Sequence, residues 1–189
     1  MGKIVVTEFI SLDGVVEDPG GSEDYSRGGW AFEFARGEEG DKFKMDELVE
    51  AEAQLLGRVT YEGFAAAWPE RDDEAGFAKK MNEMPKYVVS GTLERPAWQN
   101  TTVLSGEVAE AVAQLRVEVD GIVLVAGSAT LVQALVEHDL VDELRLMVFP
   151  VLLGKGKRLF PEGEAKRALR LTEAKTVGDG VAILRYERP

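Results

Sequence analysis

The sequence contains no cysteine and a single histidine among its 189 residues. Without cysteine the chain can form no disulfide, no thiolate metal site and no thiol nucleophile. A Ser-His-Asp triad or a histidine-bearing zinc site would have to use His138. That residue precedes Asp139 where a helix is predicted to end, so a solvated residue in the last helical turn is the simpler interpretation. The sequence thus points away from these chemistries.

Positive charge is also scarce. Twenty-two Lys and Arg residues stand against 34 Asp and Glu residues, which gives a net charge of −12. Nucleic acids and anionic membrane surfaces repel such a surface, so neither is an expected partner. An anionic ligand would need a local basic pocket.

Long apolar runs and a signal sequence are missing as well. The chain opens with the strand-like segment 3–6, and no apolar run is long enough to span a bilayer. We therefore expect a cytoplasmic location. A hydrophobic content of 45% and a charged content of 30% are typical of a soluble globular protein. We interpret residues 1–189 as one domain with a full hydrophobic core.

Apolar runs separated by glycine-rich breaks predict alternating strands and helices. Strands are predicted at 3–12, 54–56, 86–89, 101–104, 122–125 and 144–151, and helices at 41–52, from Thr60, at 74–82, at 107–119 and after Gly127-Ser128. Residues 170–177 and 181–188 alternate and are joined by glycines, as in a hairpin. This order predicts an α/β fold of three layers, α/β/α, with a mostly parallel central sheet and antiparallel C-terminal strands.

The segment from Asp18 to Gly29 is rich in glycine and charge and is longer than most connections. It is either a lid or binding loop, or a disordered surface loop. Trp30, Phe32 and Phe34 follow it. These aromatic residues either form a wall for a flat ligand or belong to the core.

The segments that directly follow three predicted strands, which we term strand exits, carry residues suited to binding a nucleotide phosphate. The first has Gly57, the guanidinium of Arg58 and the hydroxyl of Thr60. The second has Ser90, Gly91 and Thr92, and the third has the helix start at Gly127, Ser128, Ala129 and Thr130. Taken singly, these are also a helix cap, a turn and a tight strand-to-helix junction. Three of them at one sheet edge of an acidic chain predict a dinucleotide or similar anion.

Five stretches carry a resemblance to a known family. They are SLDGVV (11–16), LLGRVTYEGF (55–64), YVVSGT (87–92), LVAGSATLVQALVEHDLVDELRL (124–146) and PVLLGKGKRLF (150–160). In this order they resemble the dihydrofolate reductase superfamily, and most closely the reductase domain of bacterial riboflavin biosynthesis (RibD C-terminal domain) and its stand-alone relatives. The resemblance spans nearly the whole chain.

The resemblance implies an NADPH site. Arg58 would contact the 2′-phosphate, Thr60 the pyrophosphate, and Ser90, Gly91 and Thr92 the adenosine ribose. Gly127, Ser128, Ala129 and Thr130 would cradle the pyrophosphate, and Gly57 and Ala126 would also belong to the cofactor site. The loop after Asp13 would cover the nicotinamide, and the protein would place that ring against a flat heterocycle.

The chain also departs from the family. Dihydrofolate reductases carry a Gly-Gly pair, often with a cis peptide, where this chain has Ala126-Gly127. The riboflavin-pathway enzymes usually carry a lysine where this chain has Thr7. The candidate catalytic or substrate-binding carboxylates are Asp13 and Asp41, although the first also suits a turn and the second a helix N-terminus. Lys155, Lys157 and Arg158 either hold a substrate anion or lie in a solvated hairpin.

The sequence thus predicts an NADPH-dependent reductase of a pteridine- or pyrimidine-like ring, of the dihydrofolate reductase or 5-amino-6-(5-phosphoribosylamino)uracil reductase type. A binding or regulatory protein that kept the fold without turnover is the alternative, and a different nucleotide-dependent enzyme is a third. Because the relatives commonly pair and the apolar final strands offer an edge, we expect a homodimer.

Overall fold

The computed structural model describes residues 1–160, 162–163 and 166–189. Eight strands and five helices follow one another along the described chain, with a 3₁₀ turn at Trp30–Glu33. The elements are β1 (Lys3–Ser11), α1 (Gly37–Glu50), β2 (Ala51–Gly57), α2 (Arg58–Ala67), α3 (Phe77–Glu83), β3 (Lys86–Val89), β4 (Thr101–Leu104), α4 (Val108–Glu118), β5 (Ile122–Val125), α5 (Ala129–Glu137), β6 (Glu143–Phe149), β7 (Arg170–Val177) and β8 (Val181–Glu187).

The strands form one sheet in the order β4-β3-β2-β5-β1-β6-β8-β7. The six strands from β4 to β6 run parallel, and β8 pairs antiparallel with both β6 and β7. This confirms the predicted α/β sheet with an antiparallel C-terminal pair. Because the parallel strands share a direction, the ends of β1, β2, β3 and β5 lie at the same edge.

Helices cover both faces of the sheet. On one face α4 and α5 pack their Val112, Leu115, Val132 and Leu135 onto strand residues such as Val6 and Val125. On the other face Leu48 of α1, Tyr61 of α2 and Met81 of α3 pack onto residues such as Val5 and Leu56. Burial on both faces explains why residues 4–6 of β1 and 122–125 of β5 are entirely apolar.

The largest boundary differences concern α1 and β2. The helix begins at Gly37 and ends at Glu50, rather than spanning 41–52, and β2 begins at Ala51 rather than Gln54. Gly40 lies in this early part of the helix, where a Cβ atom would lie 2.6 Å from Arg36 Cβ and within 3.4 Å of Val177 and Met147 side-chain atoms. The glycine lets the first turn of α1 approach the sheet, which sequence periodicity does not reveal.

Smaller differences occur at other ends. The helix α2 begins at Arg58 with Gly57 as its N-cap, so Thr60 lies inside the first turn and is not the cap. The strand β6 ends at Phe149 rather than Val151. His138 is the exposed C-cap of α5, as its sequence context predicts. In the described part of the chain no helix combines the length and apolarity that crossing a membrane requires.

Candidate cofactor and substrate site

The exits of β2 and β5 interlock. Leu55 pairs with Val125, so the two strands leave the sheet side by side. The Gly57 amide then donates to the carbonyl of Gly127, with an N–O distance of 3.3 Å. Ser128, the N-cap of α5, packs against Gly57, and Thr60 packs against Gly127. Two sequence segments seventy residues apart therefore form one surface, as the motif analysis predicts.

Both glycines are required by this close approach. A Cβ atom on Gly57 would lie 2.3 Å from Ser128 Oγ, and one on Gly127 would lie 2.8 Å from Thr60 Oγ1. Gly127 also has a φ of +83°, which side chains rarely adopt. The peptide bond between Gly127 and Ser128 is cis, one residue later than the Ala126-Gly127 pair considered above.

The exit of β3 adds hydroxyls to the same surface. Val89 pairs with Gly57, and Ser90 is the next residue along β3. Ser90 Oγ accepts hydrogen bonds from the amides of Thr92 (3.2 Å) and Leu93 (3.0 Å), which closes a tight turn. Gly91 and Thr92 are exposed beside it. The three predicted strand exits are thus neighbours on one sheet edge.

Two helices begin on this surface. Ala126 joins β5 to Gly127, and α5 starts at Ala129 with Thr130 exposed in its first turn. The first turn of α2 carries Arg58 and Thr60. The first amides of a helix have no partner within it and attract anions. The surface therefore combines helix amides, hydroxyls and close-fitting glycines, which fits the pyrophosphate of a dinucleotide.

Arg58 lies at the rim of this surface. Its guanidinium is half-exposed and forms an ion pair with Glu62 one turn along α2, with N–O distances of 2.8 and 3.0 Å. Exposed pairs of this kind contribute little to stability, so Arg58 can exchange the carboxylate for a phosphate. Glu62 then remains close to any phosphate bound there.

Asp13 is engaged in protein contacts. Its side chain accepts hydrogen bonds from the hydroxyl of Ser11 (2.6 Å) and from the amides of Leu153 (3.1 Å) and Gly154 (2.7 Å). The Ser11 hydroxyl, and after it these amides, lower the pKa of Asp13 to about 2 from an ordinary 3.8. These contacts join the end of β1 to the segment after β6. They favour a structural role, and a catalytic role for Asp13 stays a prediction.

Asp41 lies in α1, which spans Gly37–Glu50. Its carboxylate is 2.8 Å from the guanidinium of Arg36, and its side chain is 66% exposed. It borders a shallow recess with Phe9, Phe32 and Phe34. The structure therefore does not group Asp41 with the predicted cofactor residues, and its catalytic role also stays a prediction.

The loop from Asp18 to Gly29 is organised around one buried carboxylate. Asp18 accepts from the amide of Ser22 (2.6 Å), and its carbonyl accepts from the amides of Gly21 and Gly29. The loop is also tied to the 150–160 segment, because the hydroxyl of Tyr25 donates to the carbonyl of Lys155 (2.6 Å). These contacts favour an ordered covering loop over a disordered one.

The 150–160 segment does not form a hairpin. It packs against residues 13–17, which directly precede the loop. Glu17 accepts from the Lys157 amide at 2.9 Å, and the Arg158 guanidinium donates to the carbonyl of Asp13. Val15 and Arg158 form an isolated β-bridge. The side chains of Lys155, Lys157 and Arg158 belong to exposed residues.

The three aromatic residues after the loop divide between core and surface. Trp30 is buried, stacks edge-on against Phe149 at 5.5 Å and donates its indole N–H to the carbonyl of Glu17. Phe34 also contacts Phe149, whereas Phe32 is 74% exposed. The core interpretation thus holds for Trp30.

The sequence reasoning missed Glu8. Its carboxyl lies beside the backbone of Gly127, and Oε1 is buried without a hydrogen-bond partner among the described residues. Burial raises the pKa of Glu8 to about 8 from an ordinary 4.5. A signal was present, because Glu8 follows Ile4 and Val6 and precedes Ile10 on one face of β1. A carboxyl in such a row is partly enclosed by its neighbours, and Glu8 is half-buried with its Oε1 out of contact with solvent.

Comparison with known proteins gives a consistent result. The family model of the RibD C-terminal domain matches residues 2–183. The uncharacterized protein YwjB of Bacillus subtilis (strain 168) is 29% identical over 181 residues, which cover 96% of this chain and 95% of YwjB. These matches confirm the resemblance that the sequence motifs indicate.

Solved structures share the fold. A putative riboflavin biosynthesis protein from Shewanella sp. PV-4 superposes with a TM-score of 0.78 at 22% identity, covering 99% of both chains. A dihydrofolate reductase from Enterococcus faecalis, complexed with NADP(H) and a second ligand, superposes with a TM-score of 0.58 at 16% identity, covering 98% of this chain and 96% of the reductase. The predicted dihydrofolate reductase-like fold is therefore confirmed.

Proposed function

The chain belongs to the RibD C-terminal domain family, and we propose from this premise that it is an NADPH-dependent reductase of a pteridine- or pyrimidine-like heterocycle. The observation that carries the proposal is the convergence of the β2, β3 and β5 exits on one surface. The Enterococcus relative with the same fold was solved with NADP(H) bound. NADPH would supply the hydride.

The residues of the surface have distinct roles in this proposal. Gly127, Ser128, Ala129 and Thr130 hold the pyrophosphate at the start of α5, with Ala126 and Gly57 leaving room for the backbone. Thr60 supports that cradle by its contact with Gly127. The remaining predicted contacts are Arg58 to the 2′-phosphate and Ser90, Gly91 and Thr92 to the adenosine ribose.

The test is binding of NADPH and NADH by the purified chain, followed by NADPH oxidation with dihydrofolate and with 5-amino-6-(5-phosphoribosylamino)uracil. We expect saturable NADPH binding, tighter than NADH binding, and absorbance loss at the nicotinamide band with one of the two rings. Absence of NADPH binding would refute the proposal. NADPH oxidation at the same rate without an added heterocycle would show that neither compound is the substrate.

One observation favours the alternative function, a nucleotide-binding or regulatory protein without turnover. Both predicted catalytic carboxylates are occupied by protein groups: Asp13 by Ser11, Leu153 and Gly154, and Asp41 by Arg36. NADPH binding without NADPH oxidation in the presence of either ring compound would support this alternative.

We also propose that the chain forms a homodimer. The edge strand β7 presents Leu171 with 49% of its surface exposed, beside the similarly exposed Leu169. An apolar sheet edge is a common pairing surface. If the chain forms a dimer, light scattering on the protein eluted from a size-exclusion column would give twice the chain mass of 20.7 kDa.

A further inference from the structure

Glu8 is a carboxyl in an apolar row of β1. Its neighbours on the same face, Val6 and Ile10, are buried in the cluster that α4 and α5 cover. A buried carboxyl normally receives hydrogen bonds or an ion pair, because an unpaired polar group in the interior is costly. Glu8 Oε1 has neither within the described part of the chain. An enclosed carboxyl oxygen without a partner indicates that the group binds a ligand or takes part in a reaction.

The position of Glu8 supports a ligand. The strand β5 ends at Val125, which pairs with Val6, whereas β1 continues to Ser11 alongside β6 only. Glu8 therefore lies just beyond the end of β5, next to the backbone of Gly127. The chain leaves β5 through α5 toward β6 and leaves β1 through α1 toward β2, on opposite faces of the sheet. Ligands of such sheets bind in the crevice at this switch in strand order.

No ion pair with the charged groups around Glu8 satisfies its Oε1 in the described part of the chain. The charge of Lys44 in α1 lowers the pKa of Glu8, but the Lys44 ammonium is 2.6 Å from Glu47 and 2.7 Å from the hydroxyl of Thr7. That cation is already committed to a carboxylate. Glu23 of the covering loop adds a like charge. Burial, as the largest effect, raises the pKa of Glu8 to about 8, while Lys44 and the Gly127 amide act in the opposite direction.

We propose that Glu8 binds the ring of the substrate and is the donor of the proton that accompanies hydride transfer. This inference rests on the proposed reductase function. A hydride from NADPH adds to the carbon of a C=N bond, and the Glu8 carboxyl gives its proton to the nitrogen. The products are a CH–NH unit, NADP⁺ and the Glu8 carboxylate, which then takes a proton from water. A carboxyl that is protonated at neutral pH suits this step.

The kinetic test uses Glu8→Gln, which keeps the shape and a donor N–H but has no transferable proton. With dihydrofolate as the probe, we expect kcat to fall by roughly 100-fold or more with little change in KM. The wild-type kcat should decline above about pH 8, as the donor loses its proton, and this decline should vanish in the variant. Glu8→Asp should retain part of the rate. Glu110→Gln, on the exposed start of α4, is the control and should match the wild type.

A spectroscopic test does not depend on turnover. In protein carrying ¹³C-labelled glutamate carboxyls, one signal should titrate near pH 8 and be missing from Glu8→Gln. Saturation with NADP⁺ and dihydrofolate, which cannot react together, should shift that signal. Circular dichroism of the variants shows whether they are folded.

The outcomes separate this inference from the function on which it rests. A reductase whose Glu8→Gln variant keeps its kcat and pH profile refutes the proton-donor role and leaves the proposed function intact. No NADPH oxidation with either ring compound, together with a Glu8 signal that still shifts on saturation, refutes the function and keeps Glu8 as a ligand-binding group. A Glu8 signal that no probe shifts overturns the inference.

Discussion

Two parts of the same sheet edge are built in different ways. The first, which we term the cofactor half, consists of the exits of β2, β3 and β5, with glycines, hydroxyls and helix amides. The second, the β1 half, runs from Glu8 to Asp13 and holds carboxyls. Contiguous motifs supply the cofactor half, whereas residues distant in sequence determine the environment of each carboxyl in the β1 half.

The β1 half shows how far environment governs a carboxyl. Glu8 and Asp13 lie five positions apart, yet burial raises the pKa of Glu8 to about 8 and hydrogen bonds lower that of Asp13 to about 2. The first carboxyl has an unpaired oxygen, and the second is bound by Ser11, Leu153 and Gly154. The comparison teaches that the prominent aspartate of a motif can be structural while an inconspicuous glutamate is available for chemistry.

Substitution of Gly127 should break the cofactor half most severely. In Gly127→Val the new side chain meets Thr60 and adopts a φ of +83°. Strain and overpacking together should lower the free energy of unfolding by about 2–4 kcal/mol and abolish NADPH binding. Denaturant titration and calorimetry measure the two effects.

The control for this substitution is Gly180→Val in the β7–β8 turn. Gly180 has a φ of +89°, and nothing in the described part of the chain lies within 4 Å of the point where a Cβ atom would stand. It should lose stability and keep NADPH binding. Equal NADPH affinity in the two variants would contradict our placement of the pyrophosphate.

Substitution of Arg58 should have the next largest effect, on cofactor choice. Arg58→Ala removes a charge-assisted contact, so NADPH affinity should fall by about 1.5–3 kcal/mol, while NADH affinity changes little. Conversely, Glu62→Gln removes the competing carboxylate and should tighten NADPH binding. Calorimetric titration with both nucleotides checks this, and an equal loss of NADPH and NADH affinity would rule out the 2′-phosphate contact.

Substitution of Asp13 tests the structural role of this carboxyl in the β1 half and should have the smallest effect. Asp13→Asn weakens the hydrogen bonds to Leu153 and Gly154, and the free energy of unfolding should fall by about 1–2 kcal/mol at neutral pH. Because the folded-state pKa of Asp13 is lowered, its stabilisation is complete above the ordinary pKa of 3.8 and is lost as pH falls toward about 2.

The stability difference between wild type and Asp13→Asn should therefore be constant above about pH 5 and shrink at lower pH. Denaturant unfolding across this range measures it. If Asp13→Asn instead folds as stably as the wild type but loses NADPH oxidation, Asp13 is catalytic and the structural interpretation is wrong.

Sequence reasoning reached most of the fold and the convergence of the β2, β3 and β5 exits. Apolar strands, glycine breaks and the hairpin at Gly178-Asp179-Gly180 predict the sheet because they depend on neighbours close in the chain. It missed the full length of β2 and the early part of α1, where Gly40 packs against the distant Val177 and Met147. Periodicity carries no information about such contacts.

The sequence by itself determined the layered α/β fold and the residues of the three strand exits, because local patterns and turn chemistry encode them. Only the tertiary structure decided the state of the carboxyls. Asp13 is bound by amides of residues 153 and 154, Asp41 by Arg36, and Glu8 is enclosed beside Gly127. The energy of a charge depends on the groups and the solvent around it, and folding brings those groups from distant parts of the chain.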